Sequence, residues 1–307
     1  MQSMKRRFLV VFIITILILM LGLATKSKSN QEEIMTIGTS IKNTSKSCVV
    51  MDVNTEEVLF DYFANTPHLP ASITKLLTLY VCLQLYKLDD YVIITKEMIN
   101  VEGSRIYLEE GDCLSVEMLL YGMMLCSGND AALALALHYD NNLEDFMMIM
   151  NDTAKLIGMK NSYFNNPHGL DSENENYVTA YDMGLLVCKG MKNETFKKII
   201  GQKKFQDKSY SNKNFYFHNK HRLLFNRSKA IGGKTGYTKK AGRTLVTVFE
   251  EDNNQVVVVT LDAYSDWELH KNLSSYGFEK IRLRRSNQVS KYLTKKISIA
   301  HRKENDE

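Results

Sequence analysis

The 307-residue chain is short of cysteine, and the cysteines it has are unpaired in spacing. Cys48, Cys82, Cys113, Cys126 and Cys188 form no C-x-x-C and have no histidine nearby in metal-ligand register. That pattern argues against a disulfide framework or a zinc site. They read instead as small core hydrophobes, Cys82 and Cys188 lying inside apolar runs. The body also lacks a basic stripe. The formal charge is +4, but Lys5, Arg6, Arg7 and a segment 280–307 with nine Lys/Arg and three Asp/Glu leave residues 25–279 at −5. Nucleic acid is therefore not an expected partner. No motif calls for a metal or an organic cofactor.

What is present begins with an export signal. Lys5-Arg6-Arg7 precede a mostly apolar run from Phe8 to Ala24, with small residues at Gly22 and Ala24. Residues 1–24 fit a signal peptide or an uncleaved membrane anchor. Either exports the rest, to the outer face of the membrane or the cell wall, with the positive charges kept inside. Residues 25–45 are polar and read as a linker. Residues 46–285 have the apolar content of a globular domain, and 286–307 form a basic tail that could touch an anionic membrane surface.

Within the domain, three short motifs stand out. Pro70-Ala71-Ser72-Ile73-Thr74-Lys75 opens a helix expected to run to about Lys87, with Ser72 and Lys75 one turn apart on one face. A serine hydroxyl needs a base, and a lysine serves only if burial or a neighbouring cation lowers its pKa. Leu114–Cys126 has helical apolar periodicity and ends at Ser127-Gly128-Asn129-Asp130. Ser127 and Asn129 then lie on a tight inter-helix turn, with Asp130 capping the next helix, Ala131–His138. Lys234-Thr235-Gly236-Tyr237-Thr238 precedes a hairpin of Leu245–Glu250 and Val256–Leu261, and reads as a neighbouring strand. A lysine there can face the Ser72 pocket. A further loop, Asn165–Asp171, holds His168, read as a loop-holding hydrogen-bonding ring.

Ser-x-x-Lys, Ser-x-Asn and Lys-Thr-Gly in that order resemble the penicillin-binding proteins and serine β-lactamases. With Gly128-Asn129-Asp130-Ala131-Ala132, Asn166-Pro167-His168-Gly169-Leu170-Asp171 and Ala241-Gly242, residues 45–280 resemble the D-alanyl-D-alanine carboxypeptidases of peptidase family S11. The resemblance implies an α+β penicillin-binding, transpeptidase-like fold: an antiparallel sheet flanked by helices, plus a mostly helical subdomain. It implies removal of the terminal D-alanine of the peptidoglycan stem peptide through an acyl-serine, and covalent inhibition by β-lactam antibiotics. Ser72 would be the nucleophile and Lys75 its base. Ser127 and Asn129 would relay protons and contact the substrate amide, while Lys234 and Thr235 would hold the substrate carboxylate. The backbone N–H groups of Ser72 and Tyr237 would form the oxyanion hole beside Gly236. Lys220, or alternatively Arg222, would add a cation for the carboxylate. Many relatives continue into a β-rich C-terminal domain, for which the residues before Glu307 leave no room. Two rivals remain. One is a serine β-lactamase, which needs a loop glutamate such as Glu173 or Glu175. The other is a catalytically silent wall-binding module.

Overall fold

The computed structural model describes residues 22, 41–171 and 175–305, with side chains to residue 295. The rest of the export segment, and the linker as far as residue 40, lie outside the described residues. No described helix is long and apolar enough to cross a membrane.

Asn43–Gly277 form one unit. Its centre is an antiparallel sheet of β1 (Ser45–Asp52), β2 (Val58–Tyr62), β7 (Ala230–Thr238), β8 (Gly242–Glu251) and β9 (Asn254–Ala263), ordered β2-β1-β9-β8-β7. Helices cover both faces, so the inner strands are buried on both sides and read as unbroken apolar runs such as Val256-Val257-Val258-Val259. On one face lies α5 (Ala180–Gly190), where a Cβ added at Gly184 would meet Met51 Sδ at 2.7 Å. On the other lies the start of α7 (Asp266–Asn305), where Tyr276 meets Phe60 edge to face at 5.6 Å. The β8–β9 hairpin turns on Asp252 and Asn253, both at positive φ, as a two-residue loop matching the strand twist requires. The Lys-Thr-Gly strand, β7, is the sheet edge, so one row of its backbone groups is free to pair with an incoming chain.

The helical subdomain contains α1 (Lys75–Leu85), α2 (Val116–Leu125), α3 (Asn129–Leu137) and α4 (Leu143–Ile157), with the short pair β3 (Tyr91–Ile93) and β4 (Cys113–Ser115). The polar stretch 197–229 is more ordered than its composition suggests. It follows the start of α6 (Glu194–Gly201) and contains the hairpin β5 (Lys204–Lys208) and β6 (Asn214–His218), whose Phe215 and Phe217 point inward. All five cysteines are free; Cys48, Cys82 and Cys188 are buried, as their apolar settings imply. From Phe278 the chain belongs to a separate unit, helical through residue 305, on which Val289, Tyr292 and Leu293 are exposed.

Three local expectations need correction. Ser72 is not in an α-helix. It lies in a 3-10 turn, Ala71–Thr74, and α1 begins only at Lys75. Three residues per turn eclipse positions i and i+3, so Ser72 and Lys75 align more closely than on an α-helix. Asn129 is not on the connecting turn but is the first residue of α3, leaving Ser127 and Gly128 to make the turn. Asp130 does not cap α3. Its buried carboxylate reaches across to the loop before α2, accepting from the backbone N–H of Ile106 (3.0 Å) and Leu108 (3.3 Å) as well as Ala131 (2.9 Å).

Asp130 thus anchors the 102–108 loop that forms one lip of the cleft. Asp130→Ala removes the acceptor of the buried Ile106, Leu108 and Ala131 N–H groups and should lower unfolding free energy by about 2–4 kcal/mol. Urea titration of the variant checks this; a change below about 0.5 kcal/mol would show the loop to be held by other means.

Candidate active site

The 3-10 turn, the α2–α3 connection and the edge strand converge on one cleft of about 330 Å³, lined in part by Ser72, Ser127, Lys220, Thr235, Gly236 and Tyr237. Strand β7 lies tightly against the serine. A Cβ at Gly236 would come within 2.9 Å of the Ser72 backbone nitrogen and 2.3 Å of Thr244 Oγ1, so no side chain fits there. Thr244 fixes the same approach by donating to the Pro70 carbonyl at 2.7 Å.

Lys75 is fully buried, and its Nζ is surrounded by three acceptors. Asn129 Oδ1 lies at 2.8 Å, the His168 carbonyl at 2.7 Å and Ser72 Oγ at 3.0 Å. The first two can only accept. Asn129 is locked in that orientation because its Nδ2 donates to the Glu102 carbonyl at 2.7 Å. A neutral amine has two N–H groups and one lone pair. With both N–H groups taken, the lone pair is left for the Ser72 hydroxyl.

Lys234 is buried beside Ser127, donating to Ser127 Oγ and to the Thr235 carbonyl, both at 3.0 Å. Burial lowers the Lys75 pKa far below its ordinary value, and the charges of Lys234 and then Lys220 add to the shift. Burial, with Lys220 adding, brings Lys234 down to about 7. Lys75 feels both neighbouring cations, so the proton the cleft retains belongs on Lys234. Lys220 is exposed and donates to Ser104 Oγ at 3.1 Å across the cleft mouth; Arg222 lines the cleft and is exposed.

Every residue singled out from the motifs is at this cleft or directly behind it. Asn129 is behind it. It is 2% exposed, its Oδ1 accepting from Lys75 and one N–H of its Nδ2 donating to Glu102, which leaves the second Nδ2 N–H without a partner among these contacts. The His168 ring does hold its loop, its Nδ1 accepting from the Leu170 N–H at 3.2 Å, and burial with the charge of Lys75 brings it down to about 3. The more telling group is its carbonyl, which no side-chain motif could reveal.

Sequence reading also missed what aims that carbonyl. Asn176 accepts from the N–H groups of Asn165 (2.7 Å) and Asn166 (3.0 Å) and donates to Thr74 Oγ1 at 3.2 Å. Thr78 donates to the Pro167 carbonyl at 2.6 Å. Gly169, at φ +84°, crosses so close that a Cβ would sit 1.8 Å from the Ala71 carbonyl oxygen. Asparagine in a polar loop carries no periodicity to mark it. Glu175, weighed as a hydrolytic glutamate, is engaged by Lys240 at 2.6 Å and Tyr177 at 3.1 Å; Glu173 lies outside the described residues.

Comparison with known proteins gives a consistent result. The chain is 32% identical over 224 residues to the D-alanyl-D-alanine carboxypeptidase DacF of Bacillus subtilis, covering 71% of this chain and 57% of that protein. It is 32% identical over 255 residues to DacA of Haemophilus influenzae, covering 76% and 62%. It therefore spans about three fifths of the length of these relatives. Among solved structures, the D-alanyl-D-alanine carboxypeptidase of Mycobacterium tuberculosis matches with TM-score 0.74 at 27% identity, over 77% of this chain and 92% of that one. The Streptomyces K15 DD-transpeptidase matches with TM-score 0.72 at 29% identity, over 77% and 98%. The fold is thus the α+β fold of the DD-peptidases, as the motifs implied. A family model for D-alanyl-D-alanine carboxypeptidases, peptidase family S11, matches residues 32–265, and with these likenesses the chain belongs to that family.

Proposed function

We propose that the chain is a serine D-Ala-D-Ala carboxypeptidase that removes the terminal D-alanine of peptidoglycan stem peptides and is acylated by β-lactams at Ser72. The observation that carries this reading is the environment of Lys75: a buried amine whose N–H groups are taken by Asn129 and His168, 3.0 Å from the Ser72 hydroxyl.

In this mechanism Lys75 takes the Ser72 proton as Oγ attacks the carbonyl carbon of the penultimate residue. The N–H groups of Ser72 and Tyr237 face the developing oxyanion, which preorganised donors stabilise far better than water does. Ser127, whose oxygen accepts from Lys234, has its own O–H available to protonate the leaving D-alanine nitrogen, and the proton taken by Lys75 is passed on to Ser127 Oγ, so that both return to their resting forms. Lys234 keeps that hydroxyl oriented and supplies positive charge near the carboxylate, which Thr235 contacts. Water then attacks the acyl-serine; Lys75, neutral again, takes its proton and returns it to Ser72 Oγ as the acyl bond breaks. Asn129 holds Lys75 through its Oδ1 and offers its second Nδ2 N–H to the substrate amide. The engagement of Glu175 with Lys240 supports hydrolysis of peptides over a β-lactamase role.

We also propose that residues 1–24 export the chain and that the basic tail, with Tyr292 and Leu293 exposed, touches the anionic outer surface of the membrane. Fractionation of cells making the full chain should recover it with the envelope. The association should loosen with salt if the tail contributes. Recovery in the cytosol would remove the export reading.

Ser72→Ala should abolish both D-alanine release and covalent labelling by penicillin, with the melting temperature kept. Intact-mass spectra and a D-alanine assay read the two together. A stoichiometric penicilloyl adduct on the variant would place the nucleophile elsewhere. A labelled wild-type chain releasing no D-alanine would leave a penicillin-binding module, and rapid turnover of penicillin with no D-alanine release would make it a β-lactamase.

A further inference from the structure

The 102–108 lip of the cleft carries two side chains that the mechanism does not use. Ile106 and Leu108 are buried, whereas Arg105 and Tyr107, alternating with them, face solvent, Tyr107 at 74% exposure. The Arg105 guanidinium carbon lies over the Tyr107 ring, 5.9 Å from its centre, within reach of a cation–π contact. Among the described residues Arg105 makes no ion pair. Glu109, four positions on, pairs instead with Lys213 at 3.2 Å.

The backbone displays this pair at a cost. Tyr107 has φ +62°, a left-handed conformation that a bulky aromatic residue rarely adopts. The Asp130 carboxylate holds it there by accepting from the N–H groups on either side, those of Ile106 and Leu108. A ring so exposed gives the core almost nothing, so packing does not repay the strain. Strain kept without such repayment points to a use at the surface.

The lip is tied to Asn129 twice. The Ser104 carbonyl accepts from the Asn129 backbone N–H, and the Glu102 carbonyl from Asn129 Nδ2, both at 2.7 Å. Ser104 itself lines the cleft, and Arg105 is the next residue along. Lys234 and Thr235 stand on β7, a different wall. A guanidinium with its forked edges unoccupied matches a carboxylate in two parallel hydrogen bonds, and the ring against it limits where the fork can point.

We propose that Arg105, steadied by Tyr107, reads a carboxylate on the acyl side of the substrate, upstream of the scissile bond. The proposal rests on the carboxypeptidase reading above. A substrate amide held by Asn129 sets the preceding part of the peptide along the lip to which Asn129 is bonded. This contact is separate from the terminal carboxylate at Lys234 and Thr235, and it selects among stem peptides by the charge of their side groups.

The test uses the full chain and two kinds of matched pair. Peptides ending in D-Ala-D-Ala carry either a carboxylate or its carboxamide at the first or second residue upstream, and D-alanine release is measured. Carbenicillin, with an extra carboxylate on its acyl side chain, is compared with benzylpenicillin, which lacks it, as second-order acylation rates. The wild type should favour the carboxylate member by roughly two- to fivefold at low salt, the range for a charge pair at an exposed site, and the preference should fade as salt is added. In Arg105→Gln the ratio should fall towards one, and Arg105→Lys, with charge but no fork, should keep only part of it. Tyr107→Gly should lower the ratio with the melting temperature kept or raised, because glycine accepts the left-handed backbone. Lys220→Ala should slow both members of each pair alike.

A wild-type ratio of one on both kinds of pair, or a ratio that Arg105→Gln leaves unchanged, would overturn the proposal. So would a ratio that collapses only in Lys220→Ala. A Tyr107→Gly variant with a lower melting temperature and an unchanged ratio would overturn the role given to Tyr107. The antibiotic pair reads the contact without peptide turnover. Preference for carbenicillin through Arg105, with no D-alanine released from any peptide, would refute the carboxypeptidase reading and uphold Arg105. D-Alanine release with no preference in either pair would do the reverse.

Discussion

Two buried lysines cannot both stay charged in one small cleft. Lys75 hydrogen-bonds Ser72 and Lys234 hydrogen-bonds Ser127, both amines are stripped of water, and the charge of Lys234 raises the cost of a proton on Lys75. Most of the surrounding architecture serves to resolve that conflict in one direction. Lys75 receives acceptors with no hydrogen to offer, so its neutral form is saturated and points at Ser72. Lys234 contacts a hydroxyl and a carbonyl beside the cleft. In the proposed reaction a carboxylate arriving there would favour charge on Lys234, which in turn would hold Lys75 neutral. Binding and activation of Ser72 would then be coupled by electrostatics.

The fold makes this arrangement by bringing three distant segments within bonding distance and removing every atom that would keep them apart. Gly236 lets the edge strand lie on the nucleophile's backbone, and Gly169 lets the His168 loop cross the 3-10 turn. Behind the strand runs a buried polar chain. His221 Nε2 meets Thr247 Oγ1 at 3.0 Å, which meets His270 Nδ1 at 2.9 Å, whose Nε2 meets Thr260 Oγ1 at 2.9 Å. Burial holds both histidines below their ordinary pKa, so the chain stays uncharged beside Lys234. It braces β8, β9 and α7 without adding a further cation.

Much of this was legible in the sequence, for identifiable reasons. Ser72, Lys75, Ser127 and Lys234 are marked by spacing, because one helical turn and one tight connection leave little freedom in where a side chain points. The β8–β9 hairpin announces itself by β-branched runs and Asp-Asn-Asn. Less legible were groups whose role depends on the third dimension. The His168 carbonyl belongs to the backbone. Asn176 reads as a loop polar residue until three segments close on it. Asp130 looks like a helix cap because aspartate is among the favoured cap residues, yet a carboxylate can satisfy unpaired N–H groups on a neighbouring loop equally well. The pairing of Arg243 with Asp266, 23 positions away, likewise appears only once β8 and α7 are brought together.

The claim that Lys75 is neutral at rest is tested most directly by the pH dependence of acylation by penicillin, measured as a second-order rate. The depressed pKa of Lys75 means that acid restores the proton and removes the lone pair. The rate should therefore fall towards acid as Lys75 regains its proton, through a group titrating well below 10.5, the ordinary lysine value, and fall on the alkaline side as Lys234, lowered to about 7, loses its charge. A rate that stays flat down to the acid unfolding limit, or that keeps rising to a limb near 10.5, would contradict a neutral Lys75 and with it this account of the site.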